Sequence, residues 1–177
     1  MNKFLTIALI LSTIFIFSCN NPEKNTQEKK KVTLEEINKL ESELFNGVSS
    51  NPDLKKALEL GKLYVEYADA HPNDSIAPEL LYKAADISMN VGKPKLTIAI
   101  FEKIRTSYPN YKNTPTIIFL LGYVYENQIH DYDKAKQYYA ELLNNYPDSD
   151  FADDAAISIK NLGKSPEEMI KEFEGNN

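Results

Sequence analysis

"HPNDSIAPELL" (residues 71–81) decides the fold, because the chain writes the same stretch three times. "YPNYKNTPTII" occupies residues 108–118 and "YPDSDFADDAA" residues 146–156. In each, a ring-bearing residue and a Pro lead into a turn that carries Asn or Asp. Five residues after the Pro stands a small residue, Ala77, Thr114 or Ala152, and a new apolar run follows. Pro lacks an N–H and biases its predecessor away from the right-handed helical region, so each stretch ends one helix and opens the next. Pro72 and Pro109 are 37 residues apart; Pro109 and Pro147 are 38 apart.

Counting back from each Pro aligns Leu63 with Ile100 and Tyr138, Tyr64 with Phe101 and Tyr139, and Tyr67 with Ile104 and Leu142. The apolar residues recur at helical spacing, with no strand-like alternation after residue 33. Two helices per period, joined at Gly92-Lys93-Pro94 and around His130-Asp131, predict an all-α chain built as a short α-solenoid of antiparallel helix pairs. Upstream, Thr33 and Glu36 form a capping box for a helix bearing Leu34, Ile37, Leu40 and Leu44, expected to end at Gly47 and "SSNP". The next helix starts after Asn51-Pro52, with Leu54, Ala57, Leu58, Gly61, Tyr64, Val65 and Ala68 as its apolar face. Downstream, "ADDAAISIKNLG" supplies another first helix. "KSPEEMIKEFEG" then supplies a cap with Ser165 at its start, whose Met169, Ile170 and Phe173 are expected to cover the open end. Capping helices thus fill residues 153–174, and the count comes to about eight helices.

Residues 78–147 resemble two tetratricopeptide repeats, 78–109 and 115–147. The second carries the pattern more fully, in Ile118, Leu121-Gly122, Tyr125, Ala135, Tyr139, Leu142 and Pro147. The first has Leu81, Ala84-Ala85, Phe101, Ile104 and Pro109, but Ser88 where the family has Tyr and Thr97 where it has Ala. The physical reading agrees with the pattern: Ala85 and Gly122 let paired helices approach, while Phe101 and Tyr139 fill the space between units. The variant is similar to that of exported tetratricopeptide lipoproteins, such as those of the barrel-assembly machinery and the Tol-Pal coordinator. That resemblance implies outer-membrane assembly or envelope maintenance.

The front of the chain supplies an address. After Lys3, residues 4–17 are apolar apart from Thr6, Ser12 and Thr13, and Ser18 and Cys19 follow. This describes a secretory signal over residues 1–18, too short to span a bilayer core of about 30 Å. Ile16-Phe17-Ser18-Cys19 resembles a bacterial lipobox, which implies that Cys19, the single cysteine, takes a diacylglycerol and becomes the mature N-terminus. Asn20 resembles the outer-membrane address of some Gram-negative bacteria. A lipid-anchored protein of that envelope follows, with residues 19–32 as a flexible tether too polar to bury surface and the helical domain running over 33–177.

The formal net charge is −6, one unit more negative once Lys3 leaves with the signal, which argues against nucleic acid as a partner. His71 occupies the helix-end position of Tyr108 and Tyr146, and His130 lies in a turn beside Asp131 and Asp133, so neither reads as a catalytic base. "DSDFADD" (residues 148–154) lacks the calcium-loop ligand where Ala152 stands; Asp153 and Asp154 instead suit a helix N-terminus. No enzyme, cofactor, metal or small-molecule substrate is expected. A protein or peptide partner is. The tetratricopeptide resemblance implies a concave groove lined by first helices: Glu79, Tyr82, Asp86 and Met89, then Thr116, Phe119, Tyr123 and Glu126, with Asp154, Ile157 and Asn161 extending the row. Tyr82, Phe119 and Ile157 would stack at one level as an apolar strip. The alternatives are that the terminal helices cover this strip, or that the chain is an adaptor for a folded partner on its convex face or cap.

Overall fold

The computed structural model describes residues 32–45 and 53–175. The expected signal, the tether as far as residue 31, the helix end at Gly47 and "SSNP", and the Phe173 side chain lie outside what is described. Among the described residues the chain is all-α, with eight helices: α1 (Leu34–Phe45), α2 (Leu54–Ala70), α3 (Ala77–Asn90), α4 (Pro94–Ser107), α5 (Thr114–Val124), α6 (Tyr132–Asn145), α7 (Ala152–Asn161) and α8 (Pro166–Gly175). A π-helical turn, Tyr125–Ile129, continues α5. Packing runs chiefly between sequence neighbours, α1 on α2 through to α6 on α7, in a tetratricopeptide-like arrangement of antiparallel pairs. Val32, expected in the tether, is 8% exposed and joins the core, so packing begins one residue earlier.

The three proline stretches adopt one backbone. His71, Tyr108 and Tyr146 cap α2, α4 and α6 at φ/ψ of −133°/58°, −133°/63° and −140°/58°, outside the right-handed helical region as the following Pro requires. Each cap N–H returns to the carbonyl four residues back, on Tyr67, Ile104 or Leu142. Each cap carbonyl then accepts the N–H of Asp74, Tyr111 or Ser149, and those carbonyls accept the N–H of Ala77, Thr114 or Ala152. To these shared backbone bonds Asp74 Oδ1 adds the Ile76 N–H at 3.2 Å, and Thr114 Oγ1 donates to the Tyr111 carbonyl at 2.6 Å.

The core is the set of columns that the prolines align. Tyr64, Phe101 and Tyr139 are buried, as are Tyr67, Ile104 and Leu142 and also Leu60, Thr97 and Ala135. In α2 the expected face is rotated: Leu54 and Leu58 are exposed, while Leu60 and Tyr67 are buried. Packing α2 between α1 and α3 selects one of the two arcs that its apolar spacing allows. The central helix α5 is apolar on nearly every side, burying Ile117, Ile118, Leu121 and Val124. The two departures of the first repeat meet each other: the buried Ser88 Oγ and Thr97 Oγ1 lie 2.7 Å apart.

Ends of helices follow the expected chemistry. Thr33 and Glu36 exchange N–H and side-chain bonds at 3.1 and 3.3 Å, and Ser165 and Glu168 do so at 2.8 and 3.2 Å. Asp53 caps α2 through Lys55 and Lys56 N–H, Asp131 caps α6 through Lys134 N–H, and Asp153 and Asp154 sit in the first turn of α7. The terminal helix differs from expectation. Met169 and Ile170 are 38% and 58% exposed, so these two side chains stay open instead of closing the stack. Its ties are polar and local: the Ser165 box and the Lys164–Glu172 ion pair at 2.7 Å.

The extra residue of the second period can be located. Ala85 and Gly122 are 37 apart in sequence, but Gly92 and His130 are 38 apart. The insertion falls between them, where the π-helical turn fits one more residue into the helix. His130 then closes the turn at φ 62°, as Gly92 does at 67° and Gly163 at 73°.

Gly122 sets how close α5 and α6 come. A Cβ built there would lie 2.5 and 2.6 Å from two ring carbons of Tyr139, which is fully buried and cannot swing away. Gly122→Ala gains helix propensity of about 1 kcal/mol but forces this overlap, so urea unfolding should show a net loss of about 2 kcal/mol. Adding Gly122→Ala to Tyr139→Leu should cost nothing further; an equal loss in both backgrounds would refute the contact as the cause.

Candidate functional site

The row of first-helix residues divides into held and open members, and none of the nine candidates on α3, α5, the π-turn and α7 is buried. On α3, Glu79 is half-buried and its Oε2 accepts the Tyr111 hydroxyl at 2.7 Å. Tyr82 is half-buried, its ring 6.0 Å from that of Phe101 and 6.4 Å from that of Tyr111. Burial first, then the charges of Asp86 and Glu79, push its phenol above the ordinary tyrosine value. Asp86 is exposed and Met89 half-buried; the Met89 carbonyl accepts Gln128 Nε2 at 3.3 Å, joining α3 to the π-turn.

On α5, Thr116 is half-buried and Tyr123 is 42% exposed. Phe119 is half-buried: it stacks on Phe151 at 4.8 Å and 18° and tilts against Tyr139 at 5.5 Å. Glu126, in the π-turn, accepts the Tyr139 hydroxyl at 2.7 Å. On α7, Asp154 and Ile157 are exposed, Ile157 by 57%, and Asn161 is half-buried.

Tyr82 packs beside Tyr111, and Phe119 on Phe151, both from the proline turn that precedes the next first helix. The resemblance does not single out these turn aromatics; an aromatic ring two residues after Pro109 and four after Pro147 is the signal for them. Three further residues belong to the row's N-terminal end. Glu41 and Phe45 of α1 and Lys83 of α3 join Tyr64, Glu79, Tyr82, Asp86 and Ile87 around a cleft of about 340 Å³.

Carboxylate-to-phenol bonds pin the helices to one another. Glu41 accepts both the Tyr64 hydroxyl and Lys83 Nζ, the latter at 2.9 Å, tying α1 to α2 and α3. Tyr138 donates to Glu102 at 2.8 Å, and Arg105 bridges Glu102 and Glu141, tying α4 to α6. Burial pushes Tyr64, Tyr111, Tyr138 and Tyr139 well above the ordinary phenol range, and the carboxylate bonded to each pushes further. Burial would raise Glu41, but the bonds from Tyr64 and Lys83, with the Lys83 charge, hold it below the usual carboxylate value.

The described residues contain no group of three or more His, Cys, Asp or Glu placed to hold a metal. His71 packs its ring 4.5 Å from that of Tyr67, as a helix-end aromatic, and His130 Nδ1 lies 3.0 Å from the Glu126 carbonyl. A tetratricopeptide repeat model matches residues 117–149, which cover most of α5, the π-turn, α6 and the start of the third proline turn. No curated protein matches the chain. The helix-pair fold and the matched repeat together are consistent with a protein–protein interaction module.

A carboxylate whose folded pKa lies below its unfolded value contributes stability that is present above the unfolded pKa and lost as pH falls through the folded one. Glu41 therefore stabilises the protein at neutral pH and stops doing so in acid. Urea midpoints measured from pH 7 to pH 3 should fall for the wild type. They should fall less steeply for Glu41→Gln, which begins lower and converges with it at the acid end. Parallel curves would show that the Glu41 pin contributes nothing.

Proposed function

We propose that this chain is a non-enzymatic interaction module, anchored by lipid at Cys19 to the envelope membrane of a Gram-negative bacterium, that holds a protein or extended peptide along its first-helix row. The observation that carries the binding reading is the open part of that row. Tyr123 and Ile157 are large apolar side chains left exposed on α5 and α7, beside exposed Asp154 and in line with Asp86 of α3. Repeated helix pairs present such a row as one extended surface, suited to a segment of polypeptide. The anchor rests on the sequence: Lys3, the apolar residues 4–17, and Ser18-Cys19. Diacylglycerol adds several buried CH₂ groups at about 0.8 kcal/mol each, and further acylation adds more. Outer-membrane placement, through Asn20, and a part in outer-membrane assembly or envelope maintenance are assigned by resemblance to exported tetratricopeptide lipoproteins.

A second reading has its own observation. The exposed Met169 and Ile170 of α8 offer a separate apolar face, as an adaptor for a folded partner would use. In-cell photo-crosslinking separates the two. A photoreactive side chain at Tyr123 or Ile157 should trap the same polypeptide, and one at Ile170 should not; trapping from Ile170 alone would favour the adaptor. For the anchor, Cys19→Ala should move the protein from the membrane fraction to the soluble one. Retention of the variant on membranes would overturn lipidation at Cys19.

A further inference from the structure

The chemistry of the row narrows the partner further, on the condition that the row is the binding surface. We infer that it takes a cationic extended segment, in which Lys or Arg alternates with apolar side chains. The first-helix row carries Glu79 and Asp86 from α3, Glu126 from the π-turn and Asp154 from α7, and α5 itself has no charged side chain. Lys83, the cation within the cleft, is already paired with Glu41 at 2.9 Å. Glu79 and Glu126 each accept a tyrosine hydroxyl through one carboxylate oxygen, Oε2. Asp86 has no ion-pair partner among the described residues and stands at the mouth of the cleft.

The cleft also displays the recognition it would offer. Lys83 Nζ lies 5.6 Å from the centre of the Tyr64 ring while bonding Glu41, a cation set between a phenol face and a carboxylate. Tyr82, with Asp86 and Glu79 alongside, repeats that pairing of ring and carboxylate, and no cation among the described residues lies over its ring. A lysine or arginine from a partner fits there. Exposed Phe45, and Tyr123 and Ile157 beyond, supply apolar contacts for the side chains between cations. An anionic peptide would meet the same carboxylates at close range and be repelled, which is how charge sets specificity in an interface.

Fluorescence anisotropy on the full-length chain in non-ionic detergent tests this with three labelled peptides of about eight residues, roughly 26 Å when extended. They alternate Leu with Lys, with Glu or with Ser. The Lys peptide should bind at least about tenfold more tightly than the Ser peptide, and lose about tenfold between low and high salt as exposed charges are screened. Asp86→Lys should weaken it at least tenfold and Asp86→Asn by less. Glu59→Lys, the same charge change on an exposed position of α2, should leave affinity within about twofold. Circular dichroism melts confirm that each variant is folded. Tighter binding of the Glu peptide, or equal effects of Asp86→Lys and Glu59→Lys, overturns the cationic preference while leaving the row as a binding surface. Failure of all three peptides overturns it as well. If Tyr123 also traps no polypeptide in cells, the groove reading falls with it.

Discussion

The buried ring of Tyr139 lies against the bare backbone of Gly122, and the spacing of the helix pair follows from that contact. With no Cβ at Gly122, α6 comes close enough for the ring to fill the gap and for its hydroxyl to reach Glu126. The same column holds Tyr64 and Phe101, both buried, so one ring per pair sets the distance to the next. Where the ring is Tyr, a carboxylate receives the hydroxyl: Glu41 for Tyr64 and Glu126 for Tyr139. Where it is Phe101, Met89 stands at the position equivalent to Glu126, and no such bond is needed. A phenol buried without an acceptor would be costly, so ring and partner change together.

Around these columns the scaffold assigns separate work to its two kinds of joint. The proline turns join one pair to the next and share one set of backbone bonds. Their side chains, Tyr111 and Phe151, pack against Tyr82 and Phe119 on the first-helix row. The joints within a pair use a left-handed residue, Gly92, His130 or Gly163, and vary in what precedes it. Charged side chains then tie non-adjacent helices, as Arg105 does with Glu102 and Glu141 between α4 and α6.

Much of this was legible from residues alone, because it depends on local chemistry and on a repeat. The three turns, the aligned core columns, the close approach at Gly122, the capping residues Thr33 and Ser165, and Asp153 in the first turn of its helix each carry a signal within a few positions. What escaped depended on the third dimension. Leu54 and Leu58 were as apolar as Leu60 and Tyr67, and only packing between two neighbours distinguishes the arcs. The part of α1 in the cleft, through Glu41 and Phe45, comes from a helix that matches no repeat pattern. Ser88 and Thr97 looked like two separate departures from the family pattern, yet their hydroxyls meet at 2.7 Å. Within the row, spacing placed residues on the correct helices but could not show which carboxylates were already engaged by phenols.

The π-helical turn at Tyr125–Ile129 has a consequence for how such a chain can change. One added residue would ordinarily rotate everything after it by about 100° and scramble the next helix's buried face. Here the surplus is taken up before His130, and α6 resumes with Ala135, Tyr139 and Leu142 all buried. The end of a first helix thus works as an expansion joint: length can vary there without propagating into the core. Because exposed Asn127 lies inside that joint, a surface residue can be re-aimed there while the scaffold beneath it keeps its frame.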